Sequence, residues 1–539
     1  MSASTTVRSL SRRQLVVTMG GVLLAMFLSS LDQTVVGTAM PRIISDLGGF
    51  SQYTWVTTAY LITSTVAMPV SGKLIDMYGR KPLYVAGIII FLLGSLFCGL
   101  SNTMTAIIIW RGLQGIGAGI IMANSFTVVG DLFPPSDRGK YQGIMSGTFG
   151  LSAIIGPGLG GFLTDALSWH WVFFINIPLG VAALWVFLFP FPDIRSNESK
   201  AGRVDYPGVI TLVVAVVSLM LALSMGGVRY PWLSPTIIST LAFSVAMGFL
   251  FVFIETRAAE PIIPMWLFKN RIVWVSQAAI FFTSFGTFAS IIFIPLFFQG
   301  VKGLSATASG GYLTPMLLGM VGGSITAGQV LSRTNGHYRI QGIVGLTIMG
   351  AGMALLSTMR VDTSVSLALA YMVITGVGIG STMPLYSIAV QNAVPYKVLG
   401  VATSSTSFFR SIGATVGLAV FGSIMNNRFA AEFVKELPGG IRISLSPEQL
   451  EYLSQNPQAL VSDQAQAKLK EMFDSLGPQG SGILEQVTGV MRRALDTAIS
   501  EVFLIGLGGV VIAFVLNFFI KEIPLSKKHP RDDVSQAPE

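Results

Sequence analysis

The segment "GKLIDMYGRKPL", residues 72–83, joins two long apolar runs of the chain. Asp76 follows Gly72 by about one helical turn, and Arg80 follows Asp76 by another. A glycine lets helices approach closely, and a buried carboxylate can dock against the N-terminal end of a neighbouring helix, where the helix dipole favours negative charge. The segment therefore predicts a contact that holds one conformation and breaks in another. The alternative is that its basic residues act only as a topology signal.

The runs on either side of this segment indicate the class of protein. Of 539 residues, 52% are hydrophobic and only 11% are charged, whereas soluble domains carry about 25% charged residues. The apolar runs have the length that a helix needs to cross a bilayer core. We predict an all-α polytopic membrane protein with fourteen spans, at residues 15–40, 53–74, 83–100, 104–130, 140–164, 172–190, 207–226, 235–254, 272–298, 308–331, 340–358, 365–391, 399–425 and 500–520.

The basic residues predict the orientation of these spans. Twenty-one Lys and Arg residues fall in the segments that are cytoplasmic if the N-terminus is, and four fall in the short outer loops (Arg42, Arg229, Lys302 and Arg360). Cytoplasmic loops are enriched in Lys and Arg. We therefore expect a multi-pass protein of the plasma membrane with both termini in the cytoplasm. The net charge of +8 is explained in this way, without a nucleic acid partner.

The chain also contains a weak internal repeat. "GIGAG" at 115–119 and "GVGIG" at 376–380 are 261 residues apart, and Pro134 and Pro395 share this offset. A degraded copy of the opening segment, "GQVLSRTNG", occupies residues 328–336. The offset corresponds to eight helices, which preserves orientation, so the repeat is parallel. Two six-helix bundles with two helices inserted between them produce this shift.

The repeat divides the chain into bundles and connecting segments. One outer loop, 426–499, is long and contains "SPEQLEYLSQ" and "DQAQAKLKEMFDSL", which we expect to form short helices with Ser or Asp caps. This loop is either a solvated cap or a guard of the outer mouth. The predicted units are a cytoplasmic N-terminus (1–14), an N-terminal six-helix bundle (15–190), a linker with two inserted transmembrane helices (191–270), a C-terminal six-helix bundle (271–521) and a cytoplasmic tail (522–539).

Six stretches of the chain form recognisable motifs: "LDQTVVGTAMP" (31–41), "GKLIDMYGRKPL" (72–83), "RGLQGIGAG" (111–119), "GTFGLSAIIGPGLGG" (147–161), "WHWVFFINIPLG" (169–180) and "PLFFQGVKGLSATASG" (295–310). Together they resemble the major facilitator superfamily, and within it the fourteen-helix drug:proton antiporters. The resemblance covers nearly the whole chain, except residues 426–499 and both ends. The first-helix motif departs from the family pattern at Gly37, where the family usually carries Asn, so one polar group is missing there.

The resemblance implies a fold and two groups of functional residues. The fold is that of the superfamily, in which two bundles rock around a central site. The first group is a conformational gate, formed by Gly72, Asp76, Gly79, Arg80, Asp131 and Arg138. The second is an antiporter motif that seals the helix interface in one state, formed by Gly150, Gly156, Pro157, Gly160 and Gly161. In that motif we expect the glycines and the proline to permit a kink and close packing between the halves.

Two opposite charges lie deep in the predicted spans. Asp32 is about 15 Å from Arg42 at the outer edge, and Arg111 lies about 12 Å below Asn102. Because their depths are similar and buried charges tend to pair, we expect these two residues to interact. Asp32 would take up a proton in the outward-open state, with Arg111 tuning its affinity. The alternative is a static structural ion pair.

A third deep charge and several amides are candidates for the substrate cavity. Arg410 either contacts substrate or extends towards the cytoplasmic interface. Gln114, Asn124 and Gln277 are the other candidates, Gln114 because it is one turn from Arg111. Gln391 and Asn392 complete the polar set, and Phe and Met supply an adaptable apolar lining.

We predict a proton-coupled secondary antiporter that exports amphipathic or cationic drugs or toxic compounds by alternating access. The alternative is an exporter or flippase of lipids or lipid-like metabolites, and a receptor is disfavoured by the gate motif. No ATP-binding G-x-x-x-x-G-K-[ST] sequence occurs, and we expect neither an enzyme nor a cofactor. The three histidines fall outside the spans, so we expect no metal site. The expected partners are protons, small amphipathic substrates and membrane lipids, and we expect a monomer.

Overall fold

A computed structural model describes residues 11–48, 52–191, 204–227, 229–334, 336–461, 463–474 and 480–525. Most of the predicted N-terminus (1–14), residues 192–203 of the predicted linker and most of the tail (522–539) lie outside these residues. The long helices are α1 (Arg12–Leu47), α2 (Tyr53–Tyr78), α3 (Arg80–Gly99), α4 (Met104–Leu132), α5 (Pro135–Ala166), α6 (Trp171–Leu188, interrupted at Ile175), α7 (Tyr206–Met225), α8 (Pro235–Glu255), α9 (Arg271–Leu296), α10 (Ala306–Arg333), α11 (Tyr338–Ser357), α12 (Val365–Ala393), α13 (Leu399–Glu436) and α14 (Gly480–Asn517).

A long helix occupies each of the fourteen predicted positions, and the all-α class is confirmed. Twelve described helices are long and apolar enough to cross a membrane. The other two positions hold α2 and α10, with 26 and 28 residues. Both pack against the opposite half of the molecule, so less of their surface needs to suit lipid. The count of fourteen spans stays a prediction.

The two halves pack in the same way, with partners shifted by eight helices. In the first half α4 packs on α2 and α3, and α1 packs on α5 and α6. In the second half α12 packs on α10 and α11, and α9 packs on α13 and α14. The repeated glycines explain the match. Gly115 and Gly376 lie where a side chain would overlap backbone atoms of α2 and α10, and Gly117 and Gly378 do the same on α3 and α11.

The halves meet along two seams. One lies between α2 and α13, and the other between α5 and α10. The inserted helices α7 and α8 pack on each other, and α7 also contacts α2 and α13. Buried side chains of all four helices form one apolar cluster, which includes Ile62, Met220, Phe251 and Phe408. The inserted pair therefore covers the first seam.

The predicted loop 426–499 is largely helical. α13 extends to Glu436 and α14 starts at Gly480, with short helices between them at Gly439–Ser444, Pro447–Gln455 and Asp463–Asp474. The predicted serine cap is present at Ser446, whose hydroxyl accepts a hydrogen bond from the Gln449 amide. Side chains from this region are buried in the same cluster as the second half; examples are Phe433, Leu453, Phe473 and Leu495. The region is thus a lobe that continues the core of that half.

Candidate functional site

A buried polar cluster surrounds Asp32 in the first half. Arg111 donates from Nη1 to Oδ2 of Asp32 at 2.5 Å. Gln114 and Asn176 donate to Oδ1 at 2.9 and 2.8 Å. The carboxylate thus accepts three hydrogen bonds, and one of them comes from a cation. The predicted contact between Asp32 and Arg111 is confirmed; its role in proton coupling is a separate question.

Three helices and an aromatic ring hold this cluster in place. α1 supplies Asp32, α4 supplies Arg111 and Gln114, and α6 supplies Asn176. Arg111 also lies over the Tyr60 ring of α2, at 4.2 Å from the centroid, a cation–π contact. Close helix packing permits these contacts. For example, a side chain at Gly94 of α3 would overlap the backbone of Gln114.

The cluster is closed to solvent in this conformation. Asp32, Gln114 and Asn176 are each 0% exposed, and Arg111 is 1% exposed. A proton therefore reaches the carboxylate only after the helices move. Asn176 is missing from the sequence-based candidates, because an uncharged residue in an apolar run carries no strong signal. Its place within the motif "WHWVFFINIPLG" was the available indication.

A second polar cluster occupies the end of the molecule where α1 begins and α14 ends, which we call the terminal end. Arg80 lies between two carboxylates. Its Nε donates to Oδ2 of Asp131 at 2.6 Å, and its Nη1 donates to Oδ1 of Asp76 at 2.9 Å. Gly79, with φ of 93°, makes the turn between α2 and α3, a conformation that favours glycine.

Asp76 connects this cluster to the other half. Its carboxylate accepts hydrogen bonds from the backbone amides of Gly400 and Val401, at 3.0 and 2.9 Å. These amides open α13, so the predicted docking of a carboxylate on a helix N-terminus is confirmed. Gly72, one turn earlier, lies so close to Ser404 that a side chain would overlap its hydroxyl. The opening segment therefore closes the α2–α13 seam at the terminal end.

The α5–α10 seam closes at the same end through backbone contacts. Gly139 and Gly328 face each other so closely that a side chain on either would overlap the carbonyl of the other. Nearby, Arg138 donates to the carbonyls of Gly130 and Gln391, at 2.7 and 3.4 Å. Arg138 thereby links α5 to α12 of the other half.

The antiporter motif packs differently from the expectation. Gly150 faces Val321 of α10, across the seam. Gly156 and Gly160 instead receive Thr34 and Thr38 of α1 within the same half. Their spacing of four residues places them on one face, while Gly150 lies on another. Pro157 lies inside α5, and Gly161 has no neighbour within 4 Å of an added side chain among the described residues. The expected packing of the whole motif between the halves is therefore wrong.

The candidate cavity residues have four different surroundings. Gln114 belongs to the Asp32 cluster. Asn124 is buried beside the Arg80 cluster, where it donates to the Arg80 carbonyl at 2.8 Å. Gln277 of α9 donates to Ser405 at 2.6 Å and is 2% exposed. Arg410 is half-buried, so among the four only Arg410 borders accessible space in this conformation.

The two other amides singled out in the sequence hold helix ends. Gln391 donates to Thr403 and to the Phe126 carbonyl of the other half, at 3.2 and 3.1 Å. Asn392 donates to the Tyr338 hydroxyl at 2.5 Å. Neither lines a cavity among the described residues.

Comparison with known proteins gives one family. The model of the Major Facilitator Superfamily matches residues 22–418. The chain is 40% identical over 525 residues to the multidrug transporter protein MdtP of Bacillus subtilis (strain 168), covering 97% of this chain and 95% of the relative. It is 37% identical to multidrug resistance protein 3 of the same organism, with 93% and 94% covered.

A solved structure shares the fold. The human organic anion transporter MFSD10 (TETRAN) aligns with a TM-score of 0.58 and 14% identity, covering 92% of this chain and 99% of that one. At this identity the likeness concerns the fold alone. The all-helical, multi-pass architecture of this chain agrees with it.

Proposed function

This chain belongs to the major facilitator superfamily, and from that premise we propose that it exports amphipathic compounds as a proton-coupled antiporter by alternating access. Its relatives with multidrug names support drug efflux as the general activity. The observation that carries proton coupling is the Asp32 cluster. Asp32 is the only carboxylate well inside the predicted spans, and intramembrane ionisable residues commonly serve as proton relays.

Protonation has a defined consequence in this geometry. Gln114 and Asn176 hold Oδ1, so the proton binds at Oδ2, the atom that accepts from Arg111. A neutral carboxyl no longer attracts the guanidinium, and Arg111 is then free to withdraw. Deprotonation on the other side of the membrane restores the ion pair.

α4 links the proton site to the gate. Arg111 and Asp131 both lie on this helix, about 30 Å apart along its axis. Asp131 holds Arg80, and Arg80 holds Asp76 against α13. A shift of α4 when Arg111 withdraws therefore pulls on the contact between the halves. We propose that α4 couples the two sites, because the proton site acts on one part of this helix and the contact between the halves acts on the other.

We further propose that the terminal end faces the cytoplasm of a plasma-membrane protein, based on the distribution of basic residues. The present conformation is then closed to the cytoplasm. Protons, small amphipathic substrates and lipids are the proposed partners of a monomer. A cysteine introduced at Ser11, labelled with a membrane-impermeant reagent in intact and permeabilised cells, tests the orientation. Labelling in intact cells would contradict it.

Proteoliposomes with an imposed pH gradient test the function. The full-length protein is expected to accumulate rhodamine B and related zwitterionic dyes against their gradients, and Asp32→Asn is expected to lose this uphill transport. Asp46→Asn is the matched control, since Asp46 lies on the same helix with 40% of its side chain exposed. Uphill transport by Asp32→Asn contradicts the proposal. Movement of a fluorescent phospholipid instead of the dyes would favour the lipid-exporter alternative.

A further inference from the structure

Arg410 is a deep cation for which the described part of the chain offers no acidic partner. It lies about 16 Å along α13 from Leu399, and thus near the middle of a bilayer core about 30 Å thick. No Asp or Glu among the described residues forms an ion pair with it. Its Nη2 donates to the Met383 carbonyl of α12, at 3.4 Å. One long hydrogen bond leaves most of the donor capacity of a guanidinium unused.

The side chain lies on the interior face of α13. Leu399, Thr403 and Arg410 share one face, because spacings of four and seven residues return to the same side of a helix. Thr403 contacts Gln391 of α12, and Leu399 lies against Gly130 of α4 in the other half. Arg410 therefore faces the region where the two halves meet, and not the lipid.

The halves touch directly beside Arg410 and towards the terminal end. Thr65 of α2 and Ser411 of α13 form a hydrogen bond of 2.5 Å, and Asp76 closes the seam further along. Arg410 itself remains half-buried. Part of this residue is thus accessible next to the closed part of the interface.

The electrostatics of the spans favour an anion at this position. The deep charges of Asp32 and Arg111 cancel each other, so Arg410 leaves the interior with one positive charge in excess. An uncompensated charge in the membrane interior is costly and usually functional. The neighbouring Met383 and Phe409 are half-buried and apolar. An apolar molecule that carries one oxyanion matches these surroundings, and the guanidinium fork suits a carboxylate.

We propose that Arg410 binds the oxyanion of an amphipathic substrate in the space between the two halves. This inference rests on the proposed export function and narrows its substrates from amphipathic or cationic compounds to those with an anionic group. A zwitterion qualifies when its negative group reaches Arg410.

Two dyes that differ only in one carboxylate provide the test. Rhodamine B carries a free carboxylate, and rhodamine B ethyl ester lacks it. We expect the purified full-length protein to bind the acid more tightly than the ester by about tenfold or more, as measured by fluorescence polarisation. Arg410→Gln is expected to abolish this preference, and Arg410→Lys to keep part of it. Absence of binding of the acid, or a preference for the ester, in the wild type overturns the proposal.

Controls separate a binding role from a structural one. Arg428→Gln removes a cation of the same helix that already pairs with Glu432 and Glu501, and is expected to keep the preference. If the preference for the acid survives Arg410→Gln, Arg410 has a structural role and does not bind the carboxylate, which overturns the proposal. Asp32→Asn is expected to lose proton-driven transport and keep the preference for the acid. Failure of proton coupling is thus distinguishable from failure of the Arg410 site.

Discussion

The two six-helix halves share a packing plan and differ in the chemistry placed on it. In the first half, Arg111 and Gln114 of α4 hold Asp32. The matching positions of α12, 261 residues later, are Met372 and Thr375, both fully buried. The glycines of the repeat determine how the helices pack, whereas the ion pair belongs to one half alone. The buried ion pair and the helix packing can therefore be altered by separate substitutions.

The two seams show the same contrast. Close glycine contacts occur at both, through Gly72 on one side and Gly328 on the other. Among the described residues of the two seams, only the α2–α13 seam adds a carboxylate, that of Asp76. The corresponding residue of the degraded copy is Ser332, whose hydroxyl donates to the Gly328 carbonyl of its own helix, at 3.0 Å. One seam thus combines charge with close packing, and the other depends on close packing alone.

The largest expected effect comes from making the first half resemble the second. Arg111→Met leaves Asp32 buried without its cation. Breaking a buried pair by removing one partner costs about 3–5 kcal/mol. We expect a large drop in thermal stability in detergent and loss of proton-driven transport. The double variant with Asp32→Asn should recover much of the stability but not the transport; wild-type stability of Arg111→Met would refute the comparison.

The next effect concerns the seam without charge. Gly328→Ala places a methyl group on the Gly139 carbonyl, and such overpacking costs about 1–3 kcal/mol. The closed seam should therefore open more often. The rate at which a maleimide labels a cysteine placed at the buried Ser324 measures this opening. Gly322→Ala, where nothing lies within 4 Å, is the matched control; equal rates in both variants would be the contrary result.

The smallest effect is expected at the charged seam. Asp76→Asn keeps one acceptor for the amides of α13 and loses the ionic contact with Arg80, which retains Asp131. We expect the free energy needed to open the α2–α13 seam to fall by about 1–2 kcal/mol. Hydrogen exchange at Gly400 and Val401 should accelerate accordingly, and Ser332→Ala should leave it unchanged. Unaltered exchange in Asp76→Asn would mean that the carboxylate does not hold the seam.

Much of this arrangement could be predicted from the sequence, because charges are rare in it. Two opposite charges at similar depth had few other partners, which is why the pairing of Asp32 with Arg111 was predictable. The same holds for the docking of Asp76 on a helix N-terminus. Asn176 was missed because hydropathy and charge give an amide little weight.

Other features depend on helix rotation, which the sequence does not reveal. Gly150 and Gly156 belong to one motif, yet they face different helices because six residues turn the chain to another side. The burial of Asn124 against the Arg80 carbonyl likewise depends on how α3 and α4 are rotated about their axes. The lobe formed by residues 426–499 was predicted as a loop because its apolar residues are interspersed with polar ones, and their common core forms only in three dimensions.

The inserted helices give the molecule two unlike flanks within the membrane plane. On one flank, α7 and α8 stand between the bilayer and the α2–α13 seam. On the other, exposed side chains such as Leu151 and Leu318 border the α5–α10 seam, at 50% and 58% exposure. A compound that diffuses laterally in the bilayer thus meets the helix pair α7 and α8 from one direction, and the α5–α10 seam itself from the other. The two halves are related by the repeat, but the two seams between them are not equally exposed to lipid.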